Sequence, residues 1–101
     1  MDTRNEALLM RAVAGDKVAL PDLLSSFGPR VRAGLQGQIG SLYRAALDED
    51  DVLQVTYIEA FMRIRHYAQR GAEGFVSWLT RIAEHNLLDA IKELDRKKRP
   101  P

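Results

Sequence analysis

The chain has 101 residues, of which 46% are hydrophobic and 29% charged, with fifteen basic and fourteen acidic side chains giving a net charge of +1 and no cysteine. This is the size of one domain with a modest core, and the hydrophobic fraction supports a globular fold and argues against disorder. The lack of cysteine excludes a disulfide framework, thiolate zinc sites and a cysteine nucleophile. No apolar stretch approaches a bilayer span, and the start Met1-Asp2-Thr3-Arg4-Asn5-Glu6 lacks the basic-then-apolar order of a signal peptide. A soluble, cytoplasmic chain with no membrane partner is expected.

Apolar residues recur at helical rather than strand spacing throughout. Thr3 and Glu6 have capping-box spacing, which starts a first helix at Thr3, with Leu8, Leu9, Ala12 and Val13 inward and Gly15 as its stop. Asp16 caps a second helix, with Pro21 early in it and Leu20, Leu23, Leu24 and Phe27 on one side. Gly28-Pro29 breaks or kinks it. Val31, Leu35 and Ile39 continue the apolar row through a stretch loosened by Gly34, Gly37 and Gly40.

The acidic run Asp48-Glu49-Asp50-Asp51 opens a third helix, where carboxylates suit the positive end of the helix dipole. Val52, Thr56, Phe61 and Ile64 are expected to face the core, with Leu53, Tyr57 and Ala60 close by. Val55, Ile58 and Met62 form a second apolar row on the other side. Such a helix is either central in the fold or buries a second face in a partner, and the residues alone leave both open. A loop is expected at Gly71–Gly74. A fourth helix runs from about Phe75 to about Lys97, with Phe75, Trp78, Leu79, Ile82, Leu87, Ile91 and Leu94 as its buried stripe. The sum is an all-α, compact bundle of about four helices.

Catalytic patterns are missing. His66 and His85 lie on different helices without carboxylate or histidine partners at ligand spacing, so no metal or cofactor is expected. No serine sits in a nucleophile elbow, and no glycine loop is followed by the lysine that cradles phosphates. The chain is not expected to be an enzyme.

Two stretches carry a resemblance. One is Asp51-Val52-Leu53-Gln54-Val55-Thr56-Tyr57-Ile58-Glu59-Ala60-Phe61, and the other is Phe75-Val76-Ser77-Trp78-Leu79-Thr80-Arg81-Ile82-Ala83-Glu84-His85-Asn86-Leu87-Leu88-Asp89. In order and spacing they resemble the second region of bacterial RNA polymerase sigma factors of the extracytoplasmic-function class. Ala14-Gly15-Asp16-Lys17-Val18-Ala19-Leu20 resembles that family's junction between its first two helices. The sequence departs from the family pattern at Val55, where an acidic residue is common, and at His85, where asparagine is common.

The resemblance implies a domain over residues 1–97. Residues 98–101 would begin the linker to the family's C-terminal helix-turn-helix domain, so the chain is expected to be one domain of a longer protein. It implies that the third helix docks on the clamp helices of the polymerase's largest subunit through Gln54, Val55, Ile58 and Met62. It implies that the fourth helix meets the non-template strand of the minus-ten promoter element, with Arg81, His85, Asn86, Lys92 and Arg96 as DNA-binding residues. An anti-sigma factor is a further implied partner.

The residues agree in part. Arg81, His85 and Lys92 share one side of the fourth helix away from its buried stripe, as a surface for single-stranded DNA requires. Trp78 and Phe75 read as core anchors rather than stacking platforms, and Arg96-Lys97-Lys98-Arg99 also suits a solvated helix end. The alternative to the sigma-factor role is a helical protein-interaction adaptor without nucleic-acid contact. A free-standing duplex-binding protein fits poorly with a long last helix and a net charge of +1.

Overall fold

Local chemistry fixes several of the helix ends. In a computed structural model, which describes residues 3–67 and 71–98, helix α1 spans Thr3–Val13, α2 Ala19–Leu35, α3 Glu49–Arg63 and α4 Gly71–Lys98. A short 3₁₀ turn, Ile64–His66, follows α3. Gly15 ends α1 at φ +103°, a conformation that strains any residue with a side chain, while the Asp16 amide donates back to the Arg11 carbonyl. The Asp16 carboxylate accepts from the Val18 and Ala19 amides, so it caps the turn that leads into α2.

At α3 the acidic run is spent on local tasks. Asp48 and Asp51 exchange side chain and backbone amide at 2.9 and 3.0 Å, closing a capping box. Asp50 pairs with Arg32 of α2. Glu49 is buried and takes a two-pronged contact from Arg44 at 2.8 and 2.9 Å.

The helices pack around one apolar cluster. Leu8, Leu9 and Ala12 come from α1, and Leu20, Leu23, Phe27, Val31 and Leu35 from α2. Val52, Leu53 and Ala60 come from α3, and Phe75, Leu79, Ala83 and Leu87 from α4. The 28-residue α4 runs against α1, α2 and α3 and is the spine of a bundle 50 × 23 × 20 Å in extent. Tyr43 in the loop after α2 donates to Asp95 at 2.8 Å, tying that loop to the far part of α4.

Three expectations need correction. Of the break or kink expected at Gly28-Pro29, the break does not occur: α2 runs on to Leu35. Pro29 removes the donor for the Ser25 carbonyl, but both residues lie on the exposed side, where water can serve it. Gly71–Gly74 is not a loop but the first turn of α4. The Glu73 carboxylate in that turn is gripped by both amino groups of Arg30 at 3.0 and 3.2 Å, and the buried Phe75 follows at once. Phe61, expected in the core, is about half exposed. At 100° per residue it lies about 120° from the middle of the buried stripe of α3. The last expected linker residues, 99–101, lie outside the described residues.

Candidate functional site

Two surfaces stand out once the core is accounted for. The first is the outer side of α3. Its inner side is buried through Val52, Leu53, Thr56 and Ala60. Opposite them Val55, Ile58, Phe61 and Met62 are 48%, 63%, 49% and 73% exposed. Exposed Gln54 falls within the same arc. Single exposed apolar residues are ordinary, but four clustered on one helix face are the mark of a contact surface.

This row borders a groove between α2 and α3 of about 620 Å³, lined by Pro21, Leu24 and Gly28 on one side and Leu53, Tyr57 and Phe61 on the other. The groove's floor depends on Gly28. A Cβ there would lie 2.2 Å from the Tyr57 hydroxyl oxygen, so a side chain at this position would push the end of that ring away from α2. Burial raises the Tyr57 phenol above its ordinary value, with the Asp50 carboxylate adding to the effect.

The second surface lies along α4. Arg81, His85, Lys92 and Arg96 are all exposed. At 100° and 1.5 Å per residue they fall within an arc of about 60° and spread over about 22 Å of the helix axis. Exposed Leu88 borders the strip, and half-buried Trp78 continues it toward the N-terminus. Carboxylates lie along the strip: His85 is 3.3 Å from Asp89, and Arg96 pairs with Glu93. The Arg96 hydrogen bond holds the Glu93 carboxyl below its ordinary value.

The structure brings together most of the sequence-derived candidates. Gln54, Val55, Ile58 and Met62 share the α3 face, and Arg81, His85, Lys92 and Arg96 share the α4 strip. Asn86 is not brought to that strip. It is buried, and its side-chain amide donates to the Thr56 hydroxyl at 3.2 Å, inside the seam between α3 and α4. Phe61 was missed as a member of the outer row, and helical angle counting along α3 would have found it. Phe75 and Trp78 join Phe27 and Tyr67 in an aromatic cluster with ring centroids 5.1–5.9 Å apart. Among the described residues no group of three or more histidines and carboxylates is placed to hold a metal ion, and no helix is long and apolar enough to cross a membrane.

The family model for Sigma-70 region 2 matches residues 23–97. The sequence is 32% identical over 98 residues to the ECF RNA polymerase sigma factor SigD of Mycobacterium bovis and to the protein of that name in Mycobacterium tuberculosis. Each alignment covers 97% of this chain and 46% of the relative, so the chain spans about half the length of the curated relatives it matches. No solved structure matches it. The family match runs through most of α2, all of α3 and nearly all of α4, the elements that carry both surfaces, and the chain belongs to the Sigma-70 region 2 family.

Proposed function

We propose that this chain is the polymerase-docking and promoter-melting domain of a sigma factor of the extracytoplasmic-function class. The observation that carries the reading is the doubly apolar α3. Its inner stripe builds the core, while Val55, Ile58, Phe61 and Met62 remain uncovered in a member of this family. An apolar row of this kind, rimmed by polar Gln54, suits the clamp helices of the polymerase's largest subunit. An anti-sigma factor would compete for the polymerase-bound state as a further partner.

The α4 strip is the surface for the minus-ten element. Arg81, Lys92 and Arg96 supply charge for phosphates, and His85 supplies a flat, hydrogen-bonding ring for bases of the non-template strand. Opening DNA requires taking bases out of the stack, at a cost of a few kcal/mol that contacts to the freed strand must offset. Asn86 contributes from beneath the strip, because its amide is committed to Thr56. No step of this work calls for catalysis by the chain.

Permanganate reactivity of unpaired thymines tests the reading in a polymerase holoenzyme that carries this domain. Arg81→Ala with Lys92→Ala should reduce reactivity around the minus-ten element while leaving polymerase affinity unchanged. Wild-type opening in that double variant would exclude the α4 strip as the DNA surface.

A further inference from the structure

In the seam between α3 and α4, apolar residues surround a hydrogen-bonded pair. Val52 and Ala60 on α3 and Leu79, Ala83 and Leu87 on α4 are all buried hydrophobic residues of the shared core. Between them, Thr56 is 0% and Asn86 8% exposed. The Asn86 amide nitrogen donates to the Thr56 hydroxyl oxygen at 3.2 Å, and that hydroxyl donates to the Val52 carbonyl at 2.8 Å. The hydroxyl proton is therefore committed along α3, and the oxygen's lone pair is what holds α4. Among the described residues no buried side-chain nitrogen or oxygen lacks a partner.

Apolar contacts tolerate sliding and rotation, because one methyl packs much like another. A buried hydrogen-bonded pair does not: a helix displaced by one residue leaves the donor amide dry and without its acceptor. Lone polar pairs in apolar helix seams set register in this way. The consequence here reaches the surface. Asn86 directly follows His85 in the α4 strip, and Thr56 lies between Val55 and Tyr57, close to the outer row of α3.

We propose that the Thr56–Asn86 pair is a positioning device that fixes the register of α4 on α3, and so holds the promoter-facing strip at one set angle to the polymerase-facing row. This inference rests on the functional reading above for the roles of the two faces, but the register itself does not. Asn86 is then a positioning residue rather than a DNA contact.

The chain has no native cysteine, so paired spin labels can be placed at Arg63→Cys on α3 and Glu84→Cys on α4 without background. The wild-type seam should give one narrow distance. Thr56→Val, which keeps the shape but leaves the Asn86 amide without its acceptor, should broaden it. Thr56→Ser, which keeps the hydroxyl, should not. Thr56→Val with Asn86→Leu removes both polar groups; the chain should stay folded and bind polymerase as before, with a broadened distance and open-complex formation slower by about tenfold.

A broadened distance in Thr56→Ser equal to that in Thr56→Val would overturn the proposal, because packing rather than the hydroxyl would then set the register. A narrow distance together with lost promoter opening in Asn86→Leu would also overturn it and make Asn86 a direct DNA contact. A double variant that fails to fold leaves the serine–valine comparison to decide. Failure of the wild-type chain to bind polymerase would sink the functional reading and leave the distance result standing.

Discussion

Phe75 is fully sequestered and lies within ring-contact distance of Phe27, Tyr67 and Trp78, whereas Trp78 is only half-buried at the cluster's edge. Both were legible as core anchors from their spacing, but not their order of importance. Depth depends on how Phe27 of α2 and Tyr67 close over the ring, and spacing within α4 carries no trace of that. Phe75→Ala should cost about 3–5 kcal/mol, the range for a large buried aromatic. Trp78→Ala should cost clearly less, as read from urea unfolding of the two variants. Equal losses would mean that Trp78 is as deeply anchored as Phe75. Asn86 is the reverse case. The resemblance implies a base contact for Asn86, yet at 100° per residue it falls between Phe75 and Leu79 on the buried stripe of α4, where it donates to Thr56.

At the scale of elements, the helices were legible wherever a local signal sufficed. Gly15 and Asp16 at the first junction, and the Asp48–Asp51 box at α3, follow from side chains reaching their own backbone. Continuity of α2 through Gly28-Pro29 and the early start of α4 were not legible, since each depends on another helix. Gly28 is explained by Tyr57 across the groove, and Glu73 by Arg30 across the bundle. The first makes a sharp prediction. Alanine in place of a helical glycine ordinarily gains up to about 1 kcal/mol. Gly28→Ala should instead destabilise the fold by about 1–3 kcal/mol, because the new methyl meets the Tyr57 hydroxyl. In a Tyr57→Phe background, which removes the atom nearest the methyl, the penalty should shrink. Additive losses in thermal melts of the single and double variants would contradict this account of the groove.

At the scale of the whole molecule, charge organises stability and function separately. Arg11 on Asp16, Arg44 on Glu49 and Arg30 on Glu73 each hold a carboxyl below its ordinary value. A group whose folded value is depressed adds stability above its unfolded value and loses it as pH falls through the folded one. The melting temperature should therefore hold from neutral pH down to the unfolded carboxylate values, 4.5 for the two glutamates and 3.8 for Asp16, and decline below them. A melting temperature that rises on acidification through that window would contradict these pairings.

The family read from the two motifs is the family that the comparisons found, and the helical bundle expected from periodicity is the bundle observed. With a net charge of +1 and one of its three strip cations, Arg96, paired within α4, the chain alone should bind free duplex weakly. On the proposed function, DNA affinity comes from the polymerase that presents the domain.

Docking on the polymerase, as proposed, is tested by binding of the chain to the purified clamp helices of the largest subunit, with Met62→Asp as the paired variant. Met62 is 73% exposed, so the charge should leave folding intact. The account predicts saturable binding by the wild-type chain and its loss in a normally folded Met62→Asp. Equal binding by both, or none by a well-folded wild-type chain, would contradict it.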